Sequence, residues 1–184
     1  MPRSSAFLVI ILWAAASAAQ AAVTVIGGDF ANACSRAAVV GESDLSFEAL
    51  CNDALDYELL NQRDRAGTFV NRGVMRLRRL SYEDARRDFD AAVKLQSNLG
   101  EAYVNRGAAK IGLRRYAESL ADLDRGIELG ASEPEKAYFN RALAHEGVGD
   151  LKKAYFDYLK AAELSPDWPD PKRELARFTV SPRP

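Results

Sequence analysis

Two cysteines and one histidine are the only side chains here whose types suggest nucleophilic or metal chemistry. Cys34 and Cys51 stand 17 residues apart, and His145 lies far from both. A metal site of this kind asks for about four ligands, so none is expected. A cysteine nucleophile needs a base beside it, and with one remote histidine no nucleophile–base–acid set can be assembled. His145 is read as a packing residue. Val25-Ile26-Gly27-Gly28-Asp29 contains glycines, but no lysine-bearing loop leads from it into a helix, so it is not a phosphate cradle. Glu83 and Asp84 fall at exposed helix positions. No catalysis, metal or cofactor is expected.

The two cysteines can pair with each other. If antiparallel helices flank a turn at Gly41-Glu42-Ser43-Asp44, their spacing sets them opposite one another. Closing that loop would stabilise by about 3 kcal/mol in the chain-entropy model. The alternative is two buried free thiols acting as small hydrophobes. The first residues favour the bridge. Arg3, the apolar run from Phe7 to Ala16 and the small residues ending Ala19-Gln20-Ala21 have the pattern of a secretory signal, residues 1–21, with cleavage before Ala22. Left uncleaved it would be an anchor, although the run is short for a bilayer. The expectation is therefore an exported bacterial protein, periplasmic or secreted, with no integral membrane segment in its mature chain, in a compartment that permits disulfides.

Three charged pairs share one offset. Arg72 with Asp88, Arg106 with Asp122 and Arg141 with Asp157 are each 16 residues apart. A hairpin of two antiparallel helices brings such residues across the interface. A buried arginine must be paired, so these six residues are read as structural ion pairs and not as a ligand site. Net charge is -1 and the basic residues lie among acids, so no nucleic-acid partner is expected.

The offset recurs because the sequence itself recurs. Thr68-Phe69-Val70-Asn71-Arg72-Gly73 returns as Ala102-Tyr103-Val104-Asn105-Arg106-Gly107 and again as Ala137-Tyr138-Phe139-Asn140-Arg141-Ala142. Laid out from Ala66, Gly100 and Glu135, the copies are aromatic at the fourth position (Phe69, Tyr103, Tyr138). They are small at the eighth (Gly73, Gly107, Ala142) and large at the twenty-fourth (Phe89, Leu123, Tyr158). Apolar residues follow a helical period, and breaks fall at Leu80-Ser81, Arg114-Arg115 and Gly149-Asp150.

This pattern resembles the tetratricopeptide repeat family from Ala66 to Trp168, most closely in the third copy, which ends Ala161-Ala162-Glu163-Leu164-Ser165-Pro166. Ser97 and Ala131 stand where the family usually has proline, and the three arginines replace its usual leucine. The resemblance implies an all-α fold, a right-handed α-solenoid of stacked antiparallel helix hairpins. Residues 22–65 would form a degenerate hairpin, 66–99, 100–133 and 134–168 the three repeats, 169–178 a capping helix, and 179–184 a flexible tail.

It also implies a concave groove lined by the first helix of each repeat. The family's groove positions correspond here to Val70, Asn71, Val74, Val104, Asn105, Ala108, Ile111, Lys136, Phe139, Asn140 and Leu143. A row of asparagines can hydrogen-bond an extended backbone without reading its sequence. The alternative is that each only satisfies a neighbouring helix. A carboxylate clamp of the kind some members use is not expected. Asn105, Lys136 and Asn140 fall at its positions, but Val70 and Val74 stand where lysine and asparagine would be. The expected function is a protein–protein interaction module of the cell envelope that binds a peptide or protein partner. The alternative is a structural subunit docking through its outer face or ends.

Overall fold

The computed structural model describes residues 21–178. The expected signal peptide lies outside the described residues except for Ala21, and so does the tail at 179–184. Among the described residues there are nine α-helices and no strand. They are α1 (Asp29–Val40), α2 (Leu45–Tyr57), α3 (Gln62–Arg78), α4 (Tyr82–Leu95), α5 (Gly100–Gly112), α6 (Tyr116–Glu128), α7 (Pro134–Gly147), α8 (Leu151–Leu164) and α9 (Pro169–Leu175).

Local sequence sets the punctuation. The side chains of Asp44, Asn61 and Asp150 accept from the backbone N–H of Ser46, Asp64 and Lys153 and so start α2, α3 and α8. The Asn61 cap starts α3 a full turn before Ala66, the expected repeat boundary. Proline opens α7 and α9, where its missing N–H costs nothing. The first helix of each repeat ends alike. Leu80, Arg114 and Gly149 are left-handed, with φ of 62°, 59° and 82°. Leu80 N–H donates to Leu77 O and Ser81 N–H to Arg76 O. The same two bonds recur at Arg114 and Arg115 and at Gly149 and Asp150. This is the Schellman closure, and only the third copy has the glycine that adopts it without strain.

Each helix packs on the next, and α1 on α3, α3 on α5 and α5 on α7 as well. No even-numbered pair packs to a comparable degree. The stack therefore curves with its odd-numbered helices side by side along the inner wall. Inside each hairpin a small residue faces a large one. A Cβ on Gly73 would stand 2.5 Å from Phe89 Cε1, and one on Gly107 2.7 Å from Leu123 Cγ. Ala142 and Tyr158 are the corresponding, fully buried pair of the third copy. A second set joins successive repeats: Tyr82 lies over Gly112 and Tyr116 over Gly147, each ring filling the space a Cβ would need.

The ends differ from expectation. α9 stops at Leu175, short of Phe178, whose ring instead packs beside Tyr155 and Tyr158 at centroid distances of 5.8 and 6.0 Å. Residues 22–26, expected within the N-terminal hairpin, form with Ala21 an extended strip with no helix of their own.

Candidate peptide groove

Asn71 on α3, Asn105 on α5 and Asn140 on α7 occupy the same repeat position and are fully buried. Two of them hold the extended strip. Asn71 Nδ2 donates to Val23 O and its Oδ1 accepts from Val23 N–H, both at 2.8 Å. Asn105 Nδ2 donates to Ala21 O at 2.9 Å. Ser35 on α1 donates to Val23 O at 3.0 Å and accepts from Val25 N–H at 3.2 Å. Asp64 accepts from Ile26 N–H at 3.4 Å. One carboxamide has both a donor and an acceptor, so Asn71 satisfies both backbone groups of a single residue. Neighbouring asparagines hold residues two apart. An extended chain advances about 6.6 Å per two residues, close to the step of about 8–10 Å between packed helices.

The side chains of the strip fall unequally. Ala21 and Val25 are 4% and 2% exposed, while Ile26 is 84% exposed. Val23 packs against the cluster that holds Val74 and Ala108, and Ala22 against the one around Cys34 and Met75. Val25 sits over Gly67, where an added Cβ would come within 2.7 Å of Val25 Cγ2 and 3.3 Å of Val23 Cγ1. Cys34 and Cys51 form a disulfide joining α1 to α2, with Cα atoms 4.9 Å apart. It fixes α1, and with it Ser35, against the second helix of the hairpin.

The other expected groove residues are divided. Val70, Val104 and Phe139 lie instead in the hairpin interior. Val70 packs with Phe89 and Ala102, and Val104 with Leu123 and Ala137. Phe139 lies between Tyr158 and Trp168, at 5.4 and 4.8 Å between centroids. Each points to where its own hairpin meets the next element, so these three hold the fold together. Ile111 and Leu143 are half-buried against the same clusters. Lys136 pairs with Glu133 at the start of α7.

Along the hairpins runs a charged ladder. Arg72 reaches Asp88 at 2.6 Å, Arg106 reaches Asp122 at 2.6 Å, and Arg141 reaches Asp157 at 2.8 Å. Each guanidinium also stacks on its own repeat's aromatic ring, Phe69, Tyr103 or Tyr138. A further arm reaches back one repeat, Arg106 to Asp90 at 3.0 Å and Arg141 to Asp124 at 2.7 Å, while Arg72 meets Asn52. A further basic residue, Arg76, Lys110 or His145, faces the same aspartate at 2.9, 2.9 and 3.9 Å. Burial opposes the charge of Arg106, but the hydrogen bonds and charges of Asp122 and Asp90 outweigh it and raise its pKa. The hydrogen bond to Asp157 leads the rise at Arg141. Burial pushes His145 below its usual value of 6.5. The inter-repeat arms were missed from sequence. Their signal was the pairing Asp88-x-Asp90 and Asp122-x-Asp124, with a basic residue four beyond each arginine.

Among the described residues no His, Cys, Asp and Glu cluster could hold a metal ion, and no helix is long and apolar enough to cross a membrane.

The comparison with curated proteins found no match. Residues 135–168 match the family model for the tetratricopeptide repeat. Solved structures share the fold at low identity. The MamA protein of Desulfovibrio magneticus RS-1, from residue 41 to its end, superposes with a TM-score of 0.64 at 22% identity, over 80% of this chain and 82% of that one. The Arabidopsis OM64 TPR domain gives 0.60 at 22%, over 64% and 96%. The second TPR domain of human RPAP3, solved in complex with the HSP70 peptide SGPTIEEVD, gives 0.58 at 22%, over 64% and 97%. Residues 135–168 thus match a tetratricopeptide repeat, inside an all-α helical-repeat fold that the chain shares with TPR domains of otherwise different sequence.

Proposed function

We propose that this chain is a protein–protein interaction module whose inner wall holds an extended polypeptide of a partner. One observation carries the reading: Asn71 grips both backbone groups of Val23, which lies past the expected cleavage point, and while residues 1–21 remain attached Asn105, one repeat further, grips the backbone two residues away. Hydrogen bonds of this kind are made to the main chain and read no side chain themselves. Asn105 Oδ1 is buried and accepts from no donor among the described residues, so this wall has a further acceptor for a ligand N–H. The RPAP3 domain of the same fold holds a peptide. No carboxylate clamp forms part of the proposal, because Val70 and Val74 are fully buried in the interior cluster. An exported setting is part of it. The leader-like composition of residues 1–21 and the Cys34–Cys51 disulfide support that setting.

The test is a display of random extended peptides, with selected binders remeasured against an Asn71→Ala/Asn105→Ala protein of unchanged helical circular dichroism. Selected peptides should lose at least about tenfold in affinity, the cost of about one well-made hydrogen-bond pair. If no peptide depends on the asparagines, docking passes to the outer face or the ends, where a structural subunit would make its contacts.

A further inference from the structure

The wall already has an occupant, which is the chain itself. Resting on the groove reading, we infer that Val23–Ile26 is an intramolecular competitor that a partner must displace. We infer also that it displays what the wall accepts: an extended segment with a small or β-branched residue at every second position. The three seats are Ala21 beside Asn105, filled by this chain only while residues 1–21 are attached, Val23 on Asn71, and Val25 over Gly67. Thr24, between the last two seats, and Ile26, beyond them, are exposed, while Ala22 packs beside Cys34 and Met75. Gly67 is the distinguishing feature, because the corresponding residues of the next repeats, Glu101 and Lys136, have long side chains. The missing side chain makes room for Val25.

The strip is built to leave. The anchors of the hairpin it joins do not depend on it. Glu58 caps α1 by accepting from the backbone N–H of Phe30 and Ala31, at 2.8 and 3.0 Å. Asn32 donates to Gly27 O at 2.8 Å, and the disulfide ties α1 to α2. These anchors hold α1 when the strip leaves, at the loss of the Val25 packing on Ala31 and Ala54 and of the Ser35 bonds, and the chain can pivot between Ile26 and Gly27. The contacts of Val23, Val25 and Ile26 lie past Ala22, so they stand whether or not residues 1–21 are removed. A site that is free only part of the time shows an apparent affinity reduced by the fraction that is free.

Two measurements on the full chain test this. The first is hydrogen exchange of individual amides in the wild type. Val23 and Val25 should be protected, yet exchange at least about a hundredfold faster than core amides of α5, through local opening. Free-chain rates would show that the strip is not seated, and exchange only on global unfolding would show that it is a fixed part of the fold. Either result overturns the inference. The second measurement uses a labelled peptide of sequence AAVTVIGG, that of residues 21–28. A Val23→Asp/Val25→Asp chain should bind it at least about tenfold more tightly than wild type. A peptide with aspartate in place of both valines should not bind. Equal binding to both chains, lost on changing Asn71 and Asn105, leaves the groove reading intact and ends the competition. Equal failure to bind, with the strip protected, also ends it, while the random-peptide display still decides the groove on its own.

Discussion

Arg106 and Asp122 meet face to face across the α5–α6 hairpin, Nε to Oδ2 at 2.9 Å and Nη2 to Oδ1 at 2.6 Å. The carboxylate is nearly buried and also holds Lys110. Asp122→Ala therefore takes the buried carboxylate from two cations at once, leaving Arg106 only the exposed Asp90, and should cost about 3 kcal/mol in urea unfolding. Asp90, the other partner of Arg106, is 41% exposed, and Asp90→Ala should cost less than about 1 kcal/mol. An Asp122→Ala protein that unfolds at the wild-type midpoint would refute the structural role of the pair.

His145 should make the third repeat acid-sensitive. Its folded pKa is depressed below 6.5 by burial, against the attraction of Asp157. The unfolded chain thus takes up the proton first. The contribution of the neutral imidazole is complete above 6.5 and is lost as pH falls from there toward the folded value. The stability gap between wild type and His145→Gln should therefore shift against wild type as pH is lowered below that point. A gap that stays constant across the window would contradict it.

The left-handed residues that close α3 and α5 carry side chains where the third copy has glycine. Leu80→Gly and Arg114→Gly should each raise stability by about 0.5–1 kcal/mol, the steric relief slightly exceeding the added freedom of the unfolded chain. Gly149→Ala should lower it by about 1 kcal/mol. Thermal melts of the three variants settle the sign, and a destabilised Leu80→Gly would be the adverse result.

Removing the Cys34–Cys51 bridge should cost about 3 kcal/mol, from a 17-residue separation in the chain-entropy model. A Cys34→Ala/Cys51→Ala protein should lose this in urea while α3 to α8 keep their helical signal. Because α1 also carries Ser35, protection of the Val25 amide should fall with it. Unchanged stability without the bridge would show that hairpin packing alone holds α1.

Much of the fold was legible because it is local. Gly73 against Phe89 and Gly107 against Leu123 lie within one hairpin, and periodicity alone placed small opposite large. The Tyr82–Gly112 and Tyr116–Gly147 contacts were not read. They join neighbouring repeats, and nothing in one copy marks its partner in the next. Val70, Val104 and Phe139 show the limit of carrying positions over from the family, since here they face inward to where successive hairpins meet.

The sequence by itself determined the helical hairpins, their number and order, and the arginine–aspartate offset, because each is set by spacing within about 34 residues and by turn chemistry at the breaks. Only the tertiary structure decided what lies on the inner wall. The Val23–Asn71 and Ala21–Asn105 contacts join residues 48 and 84 apart, and no period in the chain links them. They exist because stacking brings one asparagine per repeat into line, at a step that an extended chain matches with two residues.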